Sequence, residues 1–270
     1  MERVKLFHDH FQNYKVYGIP KAQLVIADIP YNVGVNAFGS NPKWYIDGDN
    51  NNGESELAGK AFFDTDLDFR IPEFMAFCSK MLIPEPKERG KAACMIVFCS
   101  FEQQFMMIEE AKKYGLNKYI NLVFRKNFSA QVLKANMRIV GNAEYGLLLY
   151  RDKLPKFNNG GNMVFNVLDW PRADGLPKLH PTQKPLQILE RFIELFTDEG
   201  DVVIDPVAGS GTTLLAAKNL NRRAYGFEIK KNFFQAAEDL IKTEARPDLF
   251  SERVEPKRRQ LAMFDGLDHD

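Results

Sequence analysis

Two short stretches of this 270-residue chain carry residue types able to do chemistry. Near the front, Asp28-Ile29-Pro30-Tyr31 follows the apolar run Leu24-Val25-Ile26-Ala27. Near the back, Asp205-Pro206-Val207-Ala208-Gly209-Ser210-Gly211-Thr212-Thr213 follows Val202-Val203-Ile204. Each is a β-branched run closing on an acid and a turn. That sets a carboxylate at the carboxyl end of a buried strand, the edge where open α/β sheets bind ligands. Gly209 and Gly211 lack a Cβ, so the backbone can turn tightly and approach a ligand before a helix begins. Backbone N–H groups at that helix start favour a carboxylate, and a nearby acid suits an ammonium, so the loop fits a small zwitterion. No Lys follows the second glycine, as a phosphate-binding loop requires, and the spacing is not the Gly-x-Gly-x-x-Gly of dinucleotide sites. A plain glycine-rich strand-to-helix turn is the alternative.

The pattern around these stretches supplies a scaffold. Apolar runs predict strands over 4–7, 24–27, 92–99, 119–124, 145–150, 202–204 and 223–227. Helical periodicity predicts helices over 71–82 (Pro72 in the first turn), 101–114 (ended by Gly115), 186–197, 212–219 and 233–244. The alternation argues for an α/β fold: a doubly wound, mostly parallel sheet with helices on both faces. Residues 32–69 read as a long polar loop and 151–179 as irregular chain. One domain over 1–246 and a polar tail over 247–270 follow.

Composition sets bounds. Hydrophobic residues make up 45% of the chain, close to the globular average, so global disorder is not expected. No apolar run reaches membrane length and the N-terminus lacks a signal peptide's apolar core, which gives a cytoplasmic expectation. Cys78, Cys94 and Cys99 sit in apolar contexts without metal-ligand spacing, and no metal site is expected. The formal net charge is zero, so a nucleic-acid surface must be local. Between Lys118 and Lys156 eight cations face Glu144 and Asp152, a surplus of six, with a solvated face as the plain alternative.

At this point the motifs carry a resemblance. Asp28 to Tyr31 resembles the Asp-Pro-Pro-Tyr catalytic motif of S-adenosylmethionine-dependent amino DNA methyltransferases, and Asp205 to Thr213 resembles their cofactor loop. His180-Pro181-Thr182-Gln183-Lys184-Pro185 matches a third motif of that family without a mismatch. The catalytic motif precedes the cofactor loop, the permuted order of the family's β group. The resemblance spans about 4–240 and departs at Ile29, where the family usually has Pro, and at His8-Asp9, where it commonly has Gly-Asp.

The resemblance implies a Rossmann-like sheet and methyl transfer to an exocyclic amino nitrogen of flipped, double-stranded DNA. Adenine N6 is favoured because family usage puts Asp at the first motif position. Asp28 and the carbonyl of Ile29 are expected to accept from the amino group, Pro30 to stiffen the turn, and Tyr31 to stack on the base. Acceptors of this kind stabilise the positive charge arriving with the methyl. S-adenosylmethionine is expected against Asp9, Asp28, Thr182, Gln183, Lys184, Asp205, Ala208, Gly209, Ser210, Gly211, Thr212 and Glu228, with Glu228 on the ribose hydroxyls. Target recognition is expected as a small insertion near 125–179, with Arg125, Lys126, Lys134 and Arg138 on DNA. The tail's Gln260-Leu261-Ala262-Met263-Phe264 is similar to a sliding-clamp docking peptide, against the reading of a solvated tail; a homodimer is left open. Rival functions are an N4-cytosine methyltransferase, an RNA or protein-glutamine methyltransferase, and a catalytically silent DNA-binding homologue.

Overall fold

The computed structural model describes residues 3–31, 69–126, 131–134, 139–171, 179 and 183–242. In chain order the elements are β1 (Val4–Phe7), a 3-10 helix (Phe11–Tyr17), β2 (Leu24–Asp28), α1 (Ile71–Met81), β3 (Cys94–Cys99) and α2 (Phe101–Lys113). There follow β4 (Lys118–Lys126), β5 (Gln131–Lys134), β6 (Ile139–Gly141), β7 (Ala143–Tyr150) and β8 (Val167–Trp170). The last five are α3 (Leu186–Phe196), β9 (Val202–Asp205), α4 (Thr212–Asn219), β10 (Arg223–Phe227) and α5 (Lys231–Lys242).

Eight strands form one sheet in the order β1-β10-β9-β2-β3-β7-β4-β8. The first five neighbours are parallel, β7 runs antiparallel to both β3 and β4, and β8 is parallel to β4. Within this sheet β7 is therefore the one reversed strand, and the expected mostly parallel sheet is present. Burial explains why its central strands read as unbroken apolar runs. Leu24, Ile26, Cys94, Ile96 and Phe98 pack with α3 and α4 on one face. Val25, Ala27, Met95, Val97 and Cys99 pack with α1 and α2 on the other. Gly146 lets β7 enter between β3 and β4, since a Cβ there would lie 3.2 Å from the Val97 carbonyl oxygen and 3.3 Å from the Phe124 ring.

The chain leaves β2 toward β3 and leaves β9 toward β10, in opposite directions from adjacent strands. That reversal opens a crevice beyond the carboxyl ends of β2 and β9, where doubly wound sheets take ligands. Both motif acids, Asp28 and Asp205, end these two strands.

One expectation for 151–179 needs correction. Val167–Trp170, read as irregular chain, is strand β8, and together with β7 it belongs to the central sheet. What stands apart from that sheet is the two-stranded β5–β6. Residues 32–68, expected as a loop, and residues 243–270, with the expected tail and Gln260 to Phe264, lie outside the described residues. Among those described, no helix is long and apolar enough to cross a membrane.

Candidate active site

Asp28 ends β2, and the chain is held firmly just beyond it. The Ile29 N–H donates to the Phe98 carbonyl at 3.2 Å, extending the β2–β3 ladder by one bond. A proline at this position could not make it. Gln103, buried in the first turn of α2, donates from Nε2 to the Pro30 carbonyl at 2.7 Å. Gln103 is itself fixed by a capping box with Ser100. The turn thus gains rigidity from hydrogen bonds where Ile replaces the expected Pro.

The carboxylate of Asp28 faces the ammonium of Lys184 at 2.7 Å. Lys184 also reaches Glu144 Oε2 at 3.4 Å, and the other Glu144 oxygen takes the ammonium of Lys126. Tyr31 donates its hydroxyl to Glu144 Oε2 at 3.4 Å. Aromatic faces line this chain of charges: Lys184 Nζ lies 5.3 Å from the ring centres of Tyr31 and Phe98, and Lys126 Nζ 4.8 Å from that of Trp170. The run Lys126–Glu144–Lys184–Asp28 alternates in sign and joins β4, β7, the turn before α3 and β2.

Burial pushes the Asp28 carboxyl up to about 6, although Lys184 works in the opposite direction. Burial also raises the Glu144 carboxyl, but Lys184 and Lys126 more than offset it and hold Glu144 below the usual carboxylate range. Asp28 remains 24% exposed, enough to meet a ligand, whereas Lys184 is 4% exposed. All three cysteines are buried, and burial drives each thiol's pKa up, so they are inert packing groups.

On the neighbouring strands, Asp205 is buried and accepts from the Val207 N–H at 3.1 Å. Burial raises it to about 7, a hydrogen bond from Thr213 acts to lower it, and the charges of Asp28 and Glu228 push it further up. Glu228, just past β10, accepts from the Gly209 N–H at 2.9 Å and the Lys230 N–H at 2.7 Å. Burial raises its carboxyl as well. Gly209 and Gly211 have φ of 51° and 75°, the left-handed region. At Gly211 a Cβ would also lie 2.9 Å from the Cβ of Ala237, so only glycine lets α4 start this close to α5. The loop is closed by Ala208 N–H to the Phe227 carbonyl at 2.8 Å and by Ser210 Oγ with Thr212 Oγ1 at 2.8 Å.

The elements therefore gather Asp28, Ile29, Pro30, Tyr31, Lys184, Asp205, Ala208, Gly209, Ser210, Gly211, Thr212 and Glu228 along one sheet edge. Asp28, Asp205 and Glu228 are three acids of raised pKa in electrostatic contact, a setting that favours a cationic ligand. With the left-handed glycine turn beside them, these residues fit a zwitterion that also carries a positive centre.

Other expected residues that are described have partners of their own. Gln183 turns its side chain to the Leu179 N–H at 2.9 Å, and Thr182 lies outside the described residues. Asp9 follows the outermost strand, β1, and accepts from His10 N–H, Asn13 Nδ2 and the Tyr17 hydroxyl, each at 2.7 Å. These bonds hold its carboxyl below the usual range and close the turn into the 3-10 helix. Of the cationic surplus, Arg125 stands at the site edge in an exposed pair with Asp169 at 2.7 Å. Lys126 is largely buried and tied to Glu144, which places it inside the charge network instead of on an open face. Lys134 is on β5, and Arg138 lies outside the described residues.

The surplus is not one surface. Arg151 binds the carbonyls of Ile83 and Ser79, Lys153 binds those of Pro86 and Lys87, and Lys156 pairs with Asp198 and Asp201, all by the opposite, amino edge of β3 and β9. Glu144 and Gln103 were missed by the sequence. The capping spacing of Ser100 and Gln103 was a readable signal for the second; Glu144, an acid at a strand start, gave none.

Comparison with known proteins agrees with this geometry. The family model described as DNA methylase matches residues 22–239. The DNA adenine methyltransferase YhdJ of Escherichia coli K12 is 32% identical over 161 residues, covering 54% of this chain and 50% of that protein. Type II methyltransferase M.HpaI of Haemophilus parainfluenzae is 43% identical over 67 residues, covering 25% and 21%. The chain thus spans about half the length of the first relative and about a fifth of the second. In fold it is similar to the crystal structure of an M1.HpyAVI–SAM complex, with TM-score 0.63, 22% identity, and 89% and 100% of the two chains covered. It is also similar to the cytosine-N4-specific PvuII DNA methyltransferase, with TM-score 0.65, 14% identity, and 90% and 87% covered. With a switch-point crevice, an acid-turn-aromatic motif and a glycine loop on adjacent strands, and a family match across most of its length, this chain belongs to the N6/N4 DNA methylase family.

Proposed function

We propose that this chain transfers the methyl group of S-adenosylmethionine to the exocyclic amino nitrogen of a base turned out of duplex DNA, adenine N6 in preference to cytosine N4. The observation that carries the reading is the adjacency of β2 and β9, which sets Asp28 and the Gly209–Gly211 turn at one edge. S-adenosylmethionine supplies an electrophilic methyl on a sulfonium. Gly209 to Thr212 would hold its amino-acid end, Asp205 its positive charge, and Glu228 its ribose.

An exocyclic amine is a poor nucleophile because its lone pair is conjugated with the ring. Asp28 and the Ile29 carbonyl would each accept one amino N–H, drawing the nitrogen toward tetrahedral geometry and freeing the pair. When that methyl is transferred, positive charge would develop on the amino nitrogen, where the Asp28 carboxylate would stabilise it and accept the surplus proton. Tyr31 offers the base a stacking face worth about 1–3 kcal/mol, comparable to the cost of flipping. Arg125 and the β5–β6 segment are the proposed DNA contacts, with the DNA met in the cytoplasm.

Tritiated S-adenosylmethionine offered with duplex DNA, tRNA and protein tests the reading. Label is expected in DNA as N6-methyladenine; label confined to RNA or protein overturns it.

A further inference from the structure

The catalytic motif holds a difficulty that the charge network resolves. Asp28 must accept from the base, yet its carboxylate already faces a buried ammonium at 2.7 Å. A lysine left on Asp28 competes with the amino group for the same oxygens and withdraws negative charge from the reacting nitrogen. Glu144 is a second acceptor within reach of the same ammonium, at 3.4 Å, and its other oxygen is already satisfied by Lys126. The two acids on Lys184 come from different strands, β2 and β7, on either side of β3. The ammonium therefore lies between the two acids, closer to Asp28, with both within ion-pair distance.

We propose that Glu144 is a positioning residue: it draws Lys184 off Asp28 as the base enters, so that Asp28 turns to the amino group, while Lys126 sets how strongly Glu144 pulls. This rests on the methyl-transfer reading above. Glu144 touches no reacting atom; it acts through Lys184, and through the Tyr31 hydroxyl it also steadies the stacking ring. Among the described residues, the groups facing Asp28 include Lys184, Glu144, Tyr31, Cys99 and Asp205; those facing Glu144 include Lys184, Lys126, Tyr31 and Asp28. Glu144 raises the Asp28 carboxyl and Lys184 lowers it, so neutralising Glu144 acts on Asp28 twice in one direction.

The test is single-turnover methyl transfer by the full chain, using tritiated S-adenosylmethionine and DNA from a methylation-deficient bacterial host, across pH. With Glu144→Gln, Lys184 stays on Asp28: the transfer rate is expected to fall roughly 10–100-fold, with KM for DNA little changed and the acid limb moved to lower pH. Glu144→Asp should recover part of the rate. Lys126→Met keeps the Glu144 charge and removes its rival cation, so Lys184 leans further toward Glu144 and the acid limb should move to higher pH. A structural role for the network would not give limbs moving in opposite directions. An active wild type with Glu144→Gln unchanged in rate and profile overturns this inference alone. So do two variants whose limbs move together, or Glu144→Gln losing activity only in step with its melting temperature. A wild type silent on all DNA overturns the methyl-transfer reading, and this inference with it.

Discussion

On the β9–β10 side of the site Asp205 and Glu228 are met by main-chain N–H groups, whereas on the β2–β7 side Asp28 and Glu144 are met by the ammonium groups of Lys184 and Lys126. Main-chain donors are partial charges fixed by the fold, and they do not cancel the rise in pKa that burial gives these two acids. Lysines are whole charges on flexible stems. One side is therefore built to receive a positively charged ligand and keep it still. The other is already neutralised and must be rearranged before it can act.

Substitutions can break this contrast, the largest effect coming from Asp28. Asp28→Ala should lower methyl transfer by about 10²–10³-fold or more while S-adenosylmethionine still binds, because the acid belongs to the transfer side; filter-binding and transfer assays on one preparation check this. Lys184 keeps Glu144 as a partner, so the fold should survive.

Asp205→Asn should separate stability from binding. The Asp205 carboxyl is raised to about 7 in the fold, above its ordinary value of 3.8, so its contribution to stability is greatest below about pH 4 and is lost as pH rises toward 7. Asn cannot ionise and retains an acceptor for Val207 and Thr213. At pH 8 the variant should unfold at higher denaturant, by on the order of 2–4 kcal/mol, while binding S-adenosylmethionine more weakly. Gly211→Ala works the other way, losing about 2 kcal/mol of stability through its φ of 75° and the contact with Ala237. Thermal melts read both.

Acid pH should act first on transfer. With Asp28 at about 6, the rate should drop about tenfold per unit below that value as the carboxylate is protonated and can no longer accept. Smallest is Arg125→Ala. Its pair with Asp169 is exposed and weak, so Arg125 can exchange it for a phosphate. The variant should keep its transfer rate and reduce the log–log salt slope of DNA affinity by about 0.9.

The contrast also shows which parts of the site a sequence discloses. Asp28 and Asp205 were legible because each closes a β-branched run and is followed by a turn, a local pattern. Their adjacency followed from the motif order and the resemblance. Glu144 was not legible: its meaning comes from Lys126 and Lys184, which reach it from β4 and from the turn before α3. Strand β8 was missed because Val167–Trp170 is short and sits among Gly, Asn and Pro; pairing with β4 makes it a strand. The cationic surplus misled for a topological reason. Antiparallel β7 carries the chain from the site edge at Tyr145 to the far edge at Tyr150, so a contiguous run of cations is divided between opposite ends of the sheet.

The most direct test of one pocket serving both motifs is nucleoside mass spectrometry on DNA treated with the wild-type chain, with Asp28→Ala and with Gly211→Ala. N6-methyladenine should appear with the wild type, vanish with Asp28→Ala, and return toward wild-type levels for Gly211→Ala only as S-adenosylmethionine is raised. Methylation that survives Asp28→Ala at an undiminished rate would contradict the assignment of the β2 acid to the reacting amine.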